Sequence, residues 1–436
     1  MKSAKIIVLI LVVAAVFSSC SLRISSSMDD LISPVSPFGD NADIKEALDE
    51  FAGNGYSLKT PRQGKYITAY NFFDLDADGT DEAVVFYEPS DNLGTTNIAL
   101  IIKNEDEDEW RVVDKTKGLG VDVNSLSFED VDGDGAYEVI VCWDAISNST
   151  NHELALYEYR SNNKLHCFYN GLTVNNYIAV DLVDDKTPEL LMFELNSGDY
   201  STSKAELYSF KSKKAQLISE TKLDSHISSY VKIQTERVKG ENRVYADAIG
   251  SNGSSMLTEI LLWSDGYNAI LSPYYSYNSG RTTETTRSNM IFCRDINGDK
   301  RIEMPVDDKS IKKLPKAVSC LNWRYYDDGP MVHTCYSLMP KNDGYLVIIP
   351  DDYISKISVR YDQKQKLMTV LSKKDKKEVF SVKPVLKVKY SKENYPGYDL
   401  MFEEKGYYFL AKTGDSNAIK MSLLELKKQV RSIEQD

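Results

Sequence analysis

The sequence predicts a mainly β protein, in which a β-propeller of about five four-stranded blades precedes a small α+β domain. Three observations lead to this prediction. An acidic phrase of nine residues recurs along the first two thirds of the 436-residue chain. An apolar run suited to a buried strand directly follows each of the first two copies. Short β-type segments separated by turn residues surround the copies, as expected for repeated antiparallel units.

The acidic phrase carries carboxylates at positions 1, 3, 5 and 9 and a glycine at position 6 in its clearest copies. The four copies, named loops 1 to 4 here, begin at Asp74, Asp130, Asp181 and Asp295. Their first residues lie 56, 51 and 114 positions apart, and 114 is close to twice the first two spacings. The chain therefore repeats a unit of about 55 residues, and one unit has lost its acidic loop.

Carboxylates this close repel one another unless a cation lies among them. Ca²⁺ takes six to eight oxygen ligands, including side-chain carboxylates and a backbone carbonyl, which position 7 can supply. The sequence thus predicts two or three structural Ca²⁺ sites. The expected ligands are Asp74, Asp76, Asp78, Thr80 and Glu82 in loop 1; Asp130, Asp132, Asp134, Ala136 and Glu138 in loop 2; and Asp295, Asn297, Asp299, Arg301 and Glu303 in loop 4.

The loops are not expected to bind equally well. Loop 3 has Val183 at position 3 and Lys186 at position 6, so it is predicted to fold as a turn without metal. Loop 4 has Lys300 at position 6, and the metal-free turn remains an alternative there. An EF-hand is excluded because position 12 is Val85 or Val141 instead of Glu, and predicted strands flank the loops.

The repeat is assigned to residues 65–341, and stacking of the units as a solenoid is the structural alternative to a propeller. The fourth unit is placed at 225–273, with Ile260–Trp263 as the strand after a lost loop and 250–255 in place of the carboxylates. The fifth unit is expected to start with a strand at Met290–Arg294.

The N-terminus reads as a lipoprotein signal peptide over residues 1–20. Lys2 and Lys5 precede twelve apolar residues, and Ser18-Ser19-Cys20 then resembles a lipobox, which implies lipidation of Cys20. Residues 21–64 are expected to form a Ser/Pro-rich tether and a short helix at Asn41–Phe51. The predicted location is the bacterial cell membrane, lipid-anchored and facing the extracellular side.

Residues 342–436 are predicted to form the α+β domain, with an antiparallel sheet and a helix from Ser422 to Ile433. Ser422 and Glu425 form a capping box, and an apolar stripe should pack on the sheet. A lysine-rich segment is interpreted as a solvated face, with contact to anionic lipid or wall polymer as the alternative. The stripe is Leu423, Leu426, Val430 and Ile433, and the lysines are Lys364, Lys366, Lys373, Lys374, Lys376 and Lys377.

The remaining composition favours no catalytic or nucleic-acid site. The net charge is −13, whereas phosphate binding needs a basic footprint. The four histidines stand in no metal or triad motif, and Gly118-Leu119-Gly120 is too short for a phosphate loop. The cysteines after Cys20 lack CxxC pairs, which argues against zinc and leaves their disulfide state open. They are Cys142, Cys167, Cys293, Cys320 and Cys335.

The acidic loops resemble the FG-GAP or VCBS-type repeat, the calcium-loop repeat of integrin-like propellers, over roughly residues 65 to 305. This resemblance implies a Ca²⁺ held in the loop between two blade strands, although family members more often carry Asp where Glu82 and Glu138 stand. The arrangement also looks like uncharacterised lipoproteins of low-GC Gram-positive bacteria that join such a propeller to a small C-terminal domain. That likeness implies no activity.

The expected function is a calcium-stabilised binding or adhesion module for a cell-surface protein or glycan. Tyr267, Tyr274, Tyr275 and Tyr277 cluster in a Ser/Asn-rich region and are candidates for such contacts. The alternative is a surface enzyme that acts on polysaccharide, with the propeller as scaffold. That alternative needs convergent carboxylates in a pocket outside the metal loops.

Overall fold

A computed structural model describes residues 40–53, 55–104, 109–160, 162–195 and 202–434. The chain is mainly β, with several four-stranded antiparallel sheets consistent with propeller blades and few helices. The predicted signal peptide, Cys20 and most of the tether lie outside the described residues. Among the helices in the described ranges, none is long and apolar enough to cross a membrane.

Sheet 1 is built around two buried central strands and is covered by an N-terminal helix. Helix α1 (Asp40–Ala52) confirms the predicted short helix, and it buries Ile44 and Leu48 against the sheet. Strands β1 and β2 both pair with β3, one after the other along its length. The strands are β1 (Tyr56–Lys59), β2 (Tyr70–Phe73), β3 (Glu82–Pro89), β4 (Asn97–Asn104) and β5 (Glu109–Lys117).

Sheets 2 and 3 are four-stranded meanders in the predicted order. In both sheets the second strand is buried along nearly its whole length, which explains its continuous apolar sequence. Sheet 2 contains β6 (Asp122–Glu129), β7 (Glu138–Asp144), β8 (His152–Arg160) and β9 (Lys164–Val174); sheet 3 contains β10 (Asn176–Val180), β11 (Glu189–Glu194), β12 (Lys204–Ser209) and β13 (Gln216–Lys222).

Sheet 4 is the unit without an acidic loop, and the predicted strand assignment within it is wrong by one strand. Lys239 and Gly240, both at positive φ, form a two-residue hairpin turn where the other sheets carry the loop. The run Ile260–Trp263 lies in the third strand. The second strand contains Asp247, so its sequence is less continuously apolar than that of the third strand. The strands are β14 (Ile227–Val238), β15 (Glu241–Gly250), β16 (Met256–Ser264) and β17 (Ala269–Leu271).

Sheet 5 lacks the expected first strand at Met290–Arg294. That segment contributes only an isolated bridge between Arg294 and Glu303. A small hairpin, β18 (Tyr275–Ser276) with β19 (Arg281–Thr282), precedes the segment. Pro305 is accommodated in the edge strand of sheet 5. The sheet contains β20 (Glu303–Asp307), β21 (Val318–Tyr326), β22 (Met331–Pro340), β23 (Tyr345–Ile349) and the C-terminal β29 (Val430–Ser432).

Sheet 6 forms most of the C-terminal part, and the predicted helix is too long. Helix α3 (Leu423–Gln429) has the expected capping box, but the chain becomes extended at Val430 and pairs with β23. Leu426 is buried, whereas Leu423 is 38% exposed, so the predicted stripe is only partly correct. A short α2 (Asp351–Ile354) precedes the sheet, whose strands are β24 (Ile357–Asp362), β25 (Leu367–Ser372), β26 (Glu378–Leu386), β27 (Asp399–Glu404) and β28 (Tyr407–Thr413).

Hydrophobic cores join the sheets in chain order. Separate clusters link sheet 1 to sheet 2, sheet 2 to sheet 3, sheet 3 to sheet 4, and sheet 4 to sheet 5. The other face of sheet 1 packs on α1, and no core cluster of the described residues joins sheet 5 to sheet 1. Sheets 5 and 6 share one core, so apolar packing is continuous across the predicted boundary at 342.

All five cysteines of the described chain are free thiols. Cys142, Cys293 and Cys320 are buried, and burial raises the pKa of each thiol. Their surroundings are those of packed core residues and disfavour a reactive thiolate.

Candidate functional site

Loop 1 connects β2 to β3, loops 2 and 3 connect the first and second strands of their sheets, and loop 4 leads into β20. Each loop is organised by the aspartate at position 1, whose carboxylate accepts backbone N–H groups from later in the loop. Asp74 accepts from Asp78 and Gly79 at 3.0 Å each. Asp295 accepts from Gly298, Asp299 and Lys300 at 2.7 to 3.1 Å. These are Asx-type turns, which form whether or not metal is bound.

The glutamate at position 9 links the end of each loop to its start. Glu82 accepts a hydrogen bond from the Leu75 backbone N–H at 2.8 Å, and the corresponding distances in the other loops are 2.9 to 3.1 Å. Burial, with repulsion from the neighbouring aspartates, raises the pKa of Glu82 to about 7 and that of Glu138 to about 8. The pKa values of Glu189 and Glu303 are also raised to about 7. This backbone contact explains why all four copies keep a carboxylate at this position.

Position 6 requires a left-handed backbone in every loop. Its φ is 95° at Gly79 and 94° at Gly135, and it remains positive at Lys186 (78°) and Lys300 (69°). Glycine adopts this region without steric cost, whereas lysine does not. Loops 3 and 4 therefore keep the shape of the glycine loops despite an unfavourable residue.

One carboxylate oxygen from each of three acidic residues lies within 4.8 Å of the others in every loop. The oxygen-only donors suit a hard cation. Glu82 is not in the cluster of its loop and Asp134 is not in that of loop 2, while the Asn297 side-chain amide donates to Asp299 at 2.9 Å. The groups are Asp74, Asp76 and Asp78; Asp130, Asp132 and Glu138; Asp181, Asp185 and Glu189; and Asp295, Asp299 and Glu303.

Loop 2 differs from loop 1 because a lysine from sheet 3 reaches it. Lys213, in the turn between β12 and β13, places Nζ 3.1 Å from Asp132 Oδ2, 3.5 Å from Asp134 Oδ2 and 2.6 Å from Glu158 Oε2. Asp132 Oδ2 is buried and accepts no hydrogen bond, so the ammonium is within ion-pair distance but outside hydrogen-bond geometry. The charge of the buried Asp132 carboxylate is therefore compensated by the Lys213 ammonium, although Oδ2 accepts no hydrogen bond.

Loop 3 is also neutralised by side chains, unlike loop 1. Lys211 forms an ion pair with Asp185, and Arg237 Nη2 lies 2.8 Å from Asp184 Oδ1. In the described ranges, no ion pair with lysine or arginine reaches the carboxylates of loop 1. Asp76 there has a pKa raised by burial and by the charges of Asp78 and Asp74. Among the described residues, loops 1 and 4 thus lack the side-chain cations that form ion pairs with loops 2 and 3.

A pocket of about 610 Å³, named the central pocket here, is lined by residues of β2, β6, β10 and β14 and by the segment 63–66. Phe73 stacks on Phe128 at 4.7 Å between ring centroids, and Tyr66 and Tyr137 meet these rings edge-on. Polar groups surround the aromatic cluster, and the Ser127 hydroxyl lies 2.7 Å from that of Tyr177. The polar lining also includes Gln63, Lys65, Glu129, Asn176 and Lys232.

The tyrosine cluster predicted from the sequence is only partly exposed. Tyr267 and Tyr277 are 79% and 75% exposed. Tyr274 donates a hydrogen bond to the Gly329 carbonyl at 2.8 Å and packs on Tyr326. The sequence analysis missed the central pocket, because its lining comes from four units and has no local pattern.

Comparison with known proteins gives little further information. No family model matches the chain, and no curated protein matches it. A solved structure described as a hypothetical selenium-binding protein from Sulfolobus tokodaii is similar over 49% of this chain and 55% of its own, with 11% identity and a TM-score of 0.31. The match thus spans about half of that protein, and at this similarity it carries no argument about function.

Proposed function

We propose that this chain is a lipid-anchored bacterial surface protein in which a propeller-like array of five blades, braced by Ca²⁺, binds a glycan. Sheets 1 to 5 are the blades, helix α1 caps the first, and the α+β part follows. The anchor is a lipid on Cys20, and the folded chain faces the extracellular side. The observation that carries the proposal is the central pocket, which is lined by aromatic and polar residues of sheets 1 to 4.

The pocket suits a short saccharide better than a protein surface. Its volume of about 610 Å³ is in the range of small-ligand sites, which bury most of a bound molecule. Tyr66 and Tyr137 offer aromatic surface for the apolar faces of sugar rings. Gln63, Glu129 and Asn176 supply the hydrogen-bond donors and acceptors that hydroxyl groups need.

Ca²⁺ has a structural role in this proposal, bound by loops 1, 2 and 4. The Tyr137 backbone N–H, in loop 2, donates to the Leu75 carbonyl, in loop 1, at 2.7 Å. An ion that fixes loop 1 therefore also fixes the edge of the next blade. At ten times its dissociation constant, each ion adds about 1.4 kcal/mol of stability by mass action.

The glycan proposal is tested by screening the non-lipidated chain on a glycan array and titrating the best ligand. Tyr66→Ala and Glu129→Gln are expected to weaken binding by at least about tenfold, the loss of one good contact. Tyr267→Ala removes an exposed tyrosine outside the pocket and should leave affinity unchanged. Absence of glycan binding, together with capture of a surface protein through the same pocket, would replace the glycan with a protein partner.

The calcium proposal is tested by thermal melts in EDTA and in excess Ca²⁺. The wild type should melt higher in Ca²⁺, and Asp76→Ala combined with Asp132→Ala should remove most of that difference. Asp81→Asn is the matched control, because Asp81 lies in loop 1 but outside the carboxylate cluster. A wild-type melt that does not respond to Ca²⁺ would disprove the claim.

A polysaccharide-cleaving enzyme, the alternative, needs a pocket with paired carboxylates. Glu194 and Glu206 both line a pocket of about 430 Å³, where Lys204 Nζ lies 3.2 Å and 2.6 Å from their carboxylates. The central pocket, by contrast, has Glu129 as the only acidic residue among its described lining. Release of reducing ends from polysaccharide by the wild type, lost in Glu206→Gln, would favour the enzyme.

A further inference from the structure

The charge of the chain is distributed unevenly between its two parts. Residues 342–436 contain 18 Lys and Arg against 14 Asp and Glu, a net charge of +4. Residues 1–341 contain 34 against 51, a net charge of −17. An acidic protein therefore carries a basic C-terminal part, and two groups of its lysines lie in the turns at opposite ends of sheet 6.

One end of sheet 6 forms a basic pocket. The turn between β24 and β25 lies beside the end of β26, because β25 and β26 pair antiparallel with Met368 opposite Val382. Lys364, Lys366, Lys383 and Lys389 line a pocket of about 340 Å³ at this end, named the basic end here. None of the described lining residues is acidic.

The lysines of the basic end are mostly uncompensated. In the part of the chain that the structure describes, no carboxylate lies within 4 Å of the ammonium groups of Lys364, Lys383 or Lys389. Lys366 has a long contact of 3.6 Å with Asp343. Lys383 lies 5.4 Å above the ring of Tyr395. These ammonium groups remain available to an external anion.

An exposed apolar side chain precedes Lys389 of the basic end in the chain. Val388 is 91% exposed in the short 3₁₀ turn Lys387–Lys389, in which Lys389 lines the basic end and Lys387 forms an ion pair with Glu403 at 3.0 Å. A soluble polyanion would gain from the lysines but nothing from this valine. A membrane surface offers contacts to both the lysines and the valine. Lysines bind anionic headgroups, and an apolar side chain enters the region beneath the headgroups.

We propose that the basic end of sheet 6 docks on a membrane surface that carries anionic lipid headgroups. The lysines supply the electrostatic attraction and Val388 inserts below the headgroups, with the lysine stems extending so that their ammonium groups stay at the interface. The contact would hold the C-terminal part against the membrane, and it does not depend on the identity of the ligand in the central pocket.

The test measures sedimentation with vesicles, using the chain from residue 20 onward with Cys20→Ser, which retains every described residue and lacks the lipid. Binding is expected to vesicles of phosphatidylcholine with phosphatidylglycerol and to be weak with phosphatidylcholine alone. Lys364→Gln, Lys383→Gln and Lys389→Gln together should lower the partition coefficient by on the order of 100-fold, at about fivefold per lysine. Val388→Ser should lower it by about tenfold.

A matched control lies at the opposite end of the same sheet. Lys373, Lys374 and Lys376, in the turn between β25 and β26, carry the same charge, and their replacement by Gln should reduce binding by no more than about fivefold. Equal losses for the two triple variants would overturn the proposal. Equal binding to anionic and neutral vesicles would also overturn it. The same holds if the chain binds inorganic polyphosphate but binds no vesicles. Because Val388 is almost fully exposed, its variant tests the claim without disturbing the fold.

Discussion

Lys213 Nζ lies 3.1 Å from Asp132 Oδ2, although 81 residues separate them in the chain. The ammonium comes from sheet 3 and reaches the carboxylate cluster of loop 2, which the sequence ranked equal to loop 1. A divalent cation in loop 2 must share its site with this charge or displace it. The two loops therefore have matching sequences but different electrostatic surroundings.

We expect Lys213→Met to raise the Ca²⁺ affinity of loop 2 by at least about tenfold, because it removes a competing charge from the site. Calorimetric titration in an Asp76→Ala, Asp299→Ala background isolates loop 2. Lys214→Met is the control, because Lys214 is the exposed neighbour of Lys213 and its replacement makes the same chemical change away from the cluster. An unchanged dissociation constant in the Lys213 variant would contradict the competition.

Lys300→Gly is expected to strengthen the Ca²⁺ response of loop 4. The left-handed backbone at φ 69° costs a non-glycine residue about 1 kcal/mol, and glycine removes this strain. The greater conformational entropy of glycine in the unfolded state offsets part of that stabilisation. The substitution also removes a positive charge beside Asp299. The melting temperature should therefore rise more in Ca²⁺ than in EDTA.

Lys405→Gly provides the comparison for this prediction. Lys405 also has a positive φ, at 44°, but it lies in the turn between β27 and β28, far along the chain from the loops. Its effect should be the same in both buffers. A Lys300→Gly shift that is equally independent of Ca²⁺ would show that loop 4 holds no ion.

The sequence predicted the repeated strands and the acidic loops well, because both are local patterns with a short period. It misassigned sheet 4, where Asp247 interrupts the apolar sequence of β15 and pairs with Arg287 from a later segment. It also extended the last helix through Val430, which instead pairs with β23. Lys213 and the central pocket escaped prediction because they depend on contacts between units.

The buried ion pair of Arg287 and Asp247 should be one of the most sensitive positions in the chain. Arg287 Nη2 lies 2.8 Å from Asp247 Oδ1 with both side chains inaccessible, and Asp247 also accepts a hydrogen bond from the Cys293 backbone N–H at 2.7 Å. Arg287→Met leaves the Asp247 charge buried alone and is expected to cost about 3–5 kcal/mol in denaturant unfolding.

Arg281→Met makes the same change at an exposed arginine and should cost little. Adding Asp247→Asn to Arg287→Met should restore part of the lost stability, because the unpaired charge is then absent. A small effect of Arg287→Met alone would show that the pair does not hold sheet 4 to the segment before loop 4.

Gly118→Ala should destabilise the contact between sheets 1 and 2. A Cβ at Gly118 would lie 2.3 Å from the Trp143 ring and 2.6 Å from the Thr96 carbonyl oxygen. Trp143 is fully buried and has no room to move, so overpacking is expected to cost about 1–3 kcal/mol. Gly266→Ala is the control, since its nearest neighbour would be 3.9 Å away, and equal melts for both variants would contradict this account.

Glu259 should make folding stability depend on pH. Its carboxylate is inaccessible and accepts hydrogen bonds from the Asp224 N–H and the Thr282 hydroxyl at 2.8 and 2.7 Å. Burial, with a smaller contribution from the charge of Asp224, raises its pKa from 4.5 to about 7. The folded state therefore keeps a proton that the unfolded state releases between these values, so the stabilisation is complete below pH 4.5 and is lost as pH rises through 7.

Glu259→Gln removes this titration while keeping a hydrogen-bonding side chain of the same size. Between pH 5 and pH 8, the wild type is expected to lose about 2 kcal/mol relative to the variant, measured by denaturant unfolding at both pH values in EDTA. EDTA removes any contribution of Ca²⁺ to the free energy of unfolding. Glu284→Gln, at an exposed position, is expected to show the same pH dependence of stability as the wild type. A constant difference between wild type and Glu259→Gln would mean that Glu259 stays ionised in the folded protein, stabilised by hydrogen bonds from Asp224, Thr282 and Ser272.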